Sequence, residues 1–193
     1  MASAVVAAAC AAPVGVPADQ ATVPATELLA ERIEVVAAHV AAWADAPTLA
    51  DAKAAAEATA NHVVGPGGPG FGDRDGDGTV RGPSDAGILP GADGDPAGFA
   101  LSAAEAGGPD CITRDILGGS WEDPAARWAE LDEVVAAWRP DRNTMPRLAS
   151  HAQRIVGWAL LTFATDDLDE AQTFAGHARI HVQVARDAVA DCR

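Results

Sequence analysis

Two sets of side chains in this 193-residue chain have the types and spacing to do chemistry with metal ions. The first is the run Asp73-Arg74-Asp75-Gly76-Asp77-Gly78-Thr79-Val80, which puts carboxylates at alternate positions, then a glycine where the chain must turn, then an apolar residue to pin the turn. Three carboxylates this close repel one another unless a hard cation neutralises them, and a set of oxygen ligands favours calcium. The second set is the histidines. Only five occur, His39, His62, His151, His177 and His181, and all fall in segments that read as helix. Counted from a tight turn expected near Asp166, His151 lies 15 residues back and His181 15 residues forward, so an antiparallel pair would hold them at one height. His177 precedes His181 by one turn and completes an H-x3-H pair able to chelate from one helix face. His62 lies 16 residues from the turn expected near Ala46, and reaches the same height if both turns lie at one end of the bundle. Imidazoles without thiolates suit zinc, copper or iron. A buried neutral histidine bonded to a carbonyl or carboxylate explains each position equally well on its own.

The aspartate run follows the D-x-[DN]-x-D-G pattern and resembles a dockerin or EF-hand calcium loop over residues 73–85 only. The resemblance implies that Asp73, Asp75 and Asp77 are side-chain ligands and that Thr79 gives its backbone carbonyl. The later ligand positions depart from the pattern. They fall on Arg81, which cannot coordinate, and on Ser84, with Asp85 one residue beyond where the last carboxylate belongs. A loop widened by one residue around Gly82-Pro83 would bring Asp85 to the ion. Asp93-Gly94-Asp95 is a second, weaker site, a source of ligands for the first, or a set of Asx turns.

The elements that must position these groups follow from hydrophobic periodicity. A first helix, capped at Thr26, carries Leu29, Ile33, Val36, Val40 and Trp43 on one face, and a second runs from about Leu49 to Val64 behind the Thr48 cap with mostly alanine inward. Asp123-Pro124 opens a third, with Trp128, Leu131, Val135 and Trp138 inward. The next is predicted from about Met145 to Thr165 with Leu148, His151, Ile155, Trp158 and Thr162 inward, and the last from Asp167 to about Asp191 with Phe174, Ala178, His181, Ala185 and Val189. Sixteen of the 19 glycines lie between Gly65 and Gly119, so residues 65–122 read as a long irregular insert, with short helical turns near 99–106 and 111–117. Loops of that length are functional or held by something other than a core. The expected fold is all-α: an antiparallel bundle of four to five long helices, one domain over 26–193, carrying a Gly/Pro/Asp-rich calcium-binding insert.

Composition narrows the function. With 28 acidic and 13 basic residues the net charge is −15, and Lys53 is the only lysine, so the clusters that hold nucleic acid or anionic membranes are missing. No stretch is long enough for a membrane span. No H-E-x-x-H, G-x-S-x-G, P-loop or dinucleotide fingerprint occurs, and no E-x-x-H pair of the two-iron bundles. A bis-histidine haem would have no C-x-x-C-H attachment motif. The five tryptophans fall at helical spacing or element ends and read as core anchors. Residues 1–25 are apolar and then Pro/Ala/Thr-rich and read as a signal or lipoprotein-like segment or as a disordered Ala-rich tail; Ala7-Ala8-Ala9-Cys10 resembles a lipoprotein box, although the basic n-region is absent. With Cys10 assigned to a lipid anchor or removed, Cys111 and Cys192 remain as an even pair able to close a long loop. These features together predict an exported, non-enzymatic calcium-binding bundle of the cell envelope or extracellular space that acts as a binding or structural module and has room for a protein partner. The alternative is a transition-metal or haem bundle built on His62, His151, His177 and His181, for metal handling or redox chemistry.

Overall fold

The computed structural model describes residues 23–190; the signal-like segment with Cys10, and Cys192, lie outside them. The described chain is all-helical and contains no strand. Helix α1 spans Ala25–Ala44 and buries the five residues of its predicted face, Leu29, Ile33, Val36, Val40 and Trp43. It starts one residue before the expected Thr26 cap. The Pro24 carbonyl takes the amides of Glu27 and Leu28 at 3.0 and 3.2 Å, so Thr26 sits inside the first turn. Helix α2, Leu49–Val64, begins at the Thr48 cap, whose hydroxyl accepts from the Asp51 amide at 3.1 Å. Ala52, Ala56 and Ala60 are buried, which lets backbones approach closely. The same helix buries three polar side chains, Glu57, Thr59 and Asn61.

The C-terminal half holds α4, Pro124–Ala137, α5, His151–Ala164, and α6, Leu168–Ala190. Helix α1 packs on α2 and α6, and α5 packs on α2 and α6, which closes a ring of four helices. The helix predicted to start near Met145 starts instead at His151. Residues Met145–Arg147 form a single 3-10 turn, and Leu148 and Ser150 are extended. Pro146 offers no amide to a continuing helix, while the Ser150 hydroxyl caps the new one through the Gln153 amide at 3.1 Å. His151 therefore occupies the first turn of α5 and not its middle.

The glycine-rich insert divides into two parts. Its second half belongs to the core. Ile88, Leu89, Ala100, Ala103, Ile112, Ile116, Leu117 and Trp121 are buried, on α3 (Gly98–Glu105), a π-helical turn at Ile112–Leu117, and the chain around them. Residues 87–89 lie between two helix ends. The amides of Ile88 and Leu89 donate to the carbonyls of His62 and Val63 at 3.2 and 2.9 Å, and the carbonyls of Gly87 and Ile88 accept from Phe99 and Ala100 at 2.9 Å each. The carbonyls left over at the end of α2 and the amides left over at the start of α3 are thus satisfied by one segment. Cys111, buried beside this region, is disulfide-bonded.

The insert leaves α2 through Gly65, at φ 69°, where an added Cβ would sit 2.1 Å from the Gly87 nitrogen. Gly65→Ala meets both a left-handed backbone and a backbone clash. We expect it to lower unfolding free energy by at least about 1 kcal/mol, read from urea denaturation against the parent.

Candidate metal centre

The aspartate loop is built onto α2 by two buried polar residues one turn apart. The Glu57 carboxylate, fully buried, accepts from the amides of Arg74 (2.6 Å) and Asp75 (3.2 Å) through one oxygen and of Arg81 (2.9 Å) through the other. Asn61 donates to the carbonyls of Gly72 (2.9 Å) and Arg81 (2.7 Å) and accepts from the Gly72 amide (3.1 Å). Buried polar groups must find such partners, and here the loop backbone supplies them. Within the loop, Asp73 accepts from the amides of Gly76 and Gly78 at 2.8 Å each, Asp75 from Asp77 at 3.0 Å, and Asp77 from Thr79 at 2.8 Å. The carboxylates are thereby turned toward the inside of the turn.

Glu57, Asp73 and Asp75 bring carboxylate oxygens within 4.8 Å of one another, the one cluster of three such groups among the described residues. Glu57 is absent from the sequence-level candidates. It lies 16 residues before the loop on a helix face read as alanine-lined, and no spacing rule connects it to Asp73. Arg81 enters the same space. Its guanidinium bonds the Asp77 carboxylate, stands 3.6 Å from Asp75 and 3.9 Å from Glu57, and donates to the Thr79 carbonyl at 3.3 Å. That bond holds the Asp77 carboxyl down to about 2, whereas burial, with Glu57 and Asp77 nearby, pushes Asp75 up. Asp85 faces elsewhere: both its oxygens take the Arg32 guanidinium of α1, at 2.8 and 3.1 Å. Against the cost of burial, the Ala86 amide and Arg32 hold its carboxyl below the usual range. Asp93 accepts the Asp95 amide at 3.1 Å, an Asx turn.

The histidines separate into different settings. His151 and His181 meet, Nδ1 to Nδ1, at 3.0 Å, half-buried between α5 and α6. His177 turns away from them and stacks on Trp158 at 4.4 Å between ring centroids. His62 stacks on His39 at 5.1 Å and takes Arg32 at 2.9 Å from Nδ1, between the Asp85 tether and the aspartate loop. Burial pushes His181 down to about 3, with His151, Arg154 and His177 adding to it, and burial followed by Arg154 lowers His151 against the pull of Asp115.

No protein-family model, no curated protein and no solved structure matches this chain. The tryptophans sit as anchors: Trp43, Trp121, Trp128 and Trp158 are buried, and Trp138 meets Trp158 and Phe174 edge-on.

Two expectations follow from this geometry. Glu57→Ala strands three loop amides, so it should cost about 3 kcal/mol and speed hydrogen exchange at Arg74, Asp75 and Arg81, while Glu57→Gln, which keeps an acceptor oxygen, should cost less. His62 is pushed down to about 4 by burial first and then by Arg32 and His39, from an ordinary 6.5. The unfolded chain then binds the extra proton, so this contribution to stability is full above 6.5 and lost as pH falls toward 4. The melting temperature of His62→Gln should fall less steeply than the parent's across that window.

Proposed function

We propose that the chain is an exported, non-enzymatic calcium-binding protein in which the ion orders residues 73–81 against α2 and so presents a defined surface to a binding partner in the cell envelope or outside the cell. The observation that carries this reading is the convergence of oxygens around one cationic group: Asp75, Asp77, Glu57 and the Thr79 carbonyl all face the Arg81 guanidinium. The same oxygens, with Asp73, make a hard, all-oxygen set of the kind calcium takes. Glu57 supplies the carboxylate that the loop's own tail does not, since Asp85 is engaged by Arg32. Arg81 is then an internal counter-ion that calcium must displace, and its loss from the site is part of the cost of binding.

Export rests on independent features. Cys111 is disulfide-bonded, a state that persists in oxidising compartments. The N-terminal sequence has the composition of a signal or lipoprotein segment, in which Cys10 follows a run of small residues. Among the described residues no helix is long and apolar enough to cross a membrane.

Calcium titration followed by thermal melting tests the assignment. Stability should rise with calcium by roughly 2.7 kcal/mol at 100 times Kd, and Asp75→Ala combined with Asp77→Ala should abolish the rise. Arg81→Ala should bind calcium several-fold more tightly than the parent. A melting temperature insensitive to millimolar calcium in both the parent and Arg81→Ala overturns the reading and leaves Arg81 as the loop's permanent counter-ion.

A further inference from the structure

Outside the aspartate loop, His151 and His181 bring metal-ligating atoms of two helices within hydrogen-bond distance of each other. His151 stands in the first turn of α5, placed there by the break at Leu148–Ser150, and His181 lies on the face of α6 that packs against α5. Their Nδ1 atoms are 3.0 Å apart and their ring centroids 5.1 Å apart, with planes inclined at 62°. Asp115, on the π-helical turn, is the carboxylate whose field reaches His151. It pairs through both oxygens with its neighbour Arg114, at 2.7 and 2.5 Å, and that guanidinium also donates to the Cys111 sulfur at 3.4 Å. Arg154, the other charged group near the rings, is committed to the carbonyls of Leu148 and Pro146 at 2.7 and 2.9 Å.

We infer that His151 and His181 form a transition-metal site, which takes zinc, copper(II) or nickel through both Nδ1 atoms, with water on the remaining positions. A neutral imidazole has one lone pair and one N–H. Without an ion, one of the two rings must turn its N–H inward and spend it on the other. With an ion, both rings direct a lone pair inward and both keep Nε2–H for water. At bonds of about 2.0–2.1 Å, two ligands at a tetrahedral angle stand about 3.3 Å apart, so loading requires the nitrogens to separate by a few tenths of an ångström and both rings to turn their lone pairs toward a common point off the line between them. Two imidazole nitrogens are donors of borderline softness, which separates this site chemically from the all-oxygen loop. His62 and His177 take no part: one is held by Arg32 and His39, the other by Trp158.

Isothermal titration of tag-free protein with zinc, copper(II) and nickel at pH 7.5, with saturating calcium present throughout, tests the site apart from the aspartate loop. One ion should bind per chain, at least tenfold more weakly to His151→Gln and to His181→Gln, and with parental affinity to His62→Gln and His177→Gln. Glutamine retains hydrogen-bonding capacity, and melting curves of each variant confirm that the fold survives. Asp115→Asn should weaken binding by a smaller factor. Absence of binding by all three ions in the parent, or parental affinity in the doubly substituted His151→Gln/His181→Gln protein, overturns the inference and leaves the pair as an N–H···N hydrogen bond. Neither result bears on calcium at Asp73–Arg81.

Discussion

Everything distinctive about this fold depends on a pair of polar side chains placed where the helix pattern calls for apolar ones. Glu57 and Asn61 stand one turn apart on α2, both without solvent exposure. A charge and an amide taken out of water need partners, and the partners they find are backbone groups of residues 72–81. The glycine-rich segment has few apolar side chains with which to hold itself to the bundle. Hydrogen bonds to α2 do that instead, while Arg74 lies over the Phe163 ring at 5.6 Å and ties the loop to α5. The helix and the loop each satisfy the other's polar demand.

The electrostatics of the loop follow from that attachment. Pinning Glu57 beneath Asp73 and Asp75 concentrates negative charge in a chain already at −15. A cation must stand there, and Arg81 is the one the chain carries itself. A guanidinium reaches several carboxylates at once through its forked donors, and this one touches Asp77 while lying within 4 Å of Asp75 and Glu57. Arg32 does the same for Asp85 at the loop's far end.

The sequence carried the helices clearly because a helix that packs on one side writes its period into the chain. Leu29, Ile33, Val36, Val40 and Trp43 repeat at that spacing and all are buried. The aspartate turn was equally visible, since Asp73, Asp75 and Asp77 bond amides within a few residues of themselves. Interactions across long separations left no such trace. Glu57 looks like any helix glutamate until the loop folds over it, and residues 87–89 have no pattern that reveals a place between the ends of α2 and α3. A convergence of His62 with His151 depends on a relation between two hairpins that no local spacing encodes, and in the fold His62 is held by Arg32. The break before His151 is a different case. Pro146 and Ser150 both stood in the sequence as helix punctuation, but the apolar repeat running through Leu148 masked them.

Asn61 has one further property. Through its single amide group it holds Gly72 and Arg81 together, so the chain enters and leaves the aspartate loop at the same point on α2. Residues 73–80 are therefore a closed ring hung from a helix, with Arg74 and Asp75 fastened inside it to Glu57, and its circumference can change over residues 76–80 without moving those attachments. Such a ring is a cassette: sequences of other lengths can be exchanged over that stretch while the bundle beneath keeps its register, provided Gly72, Arg74, Asp75 and Arg81 keep their backbone geometry.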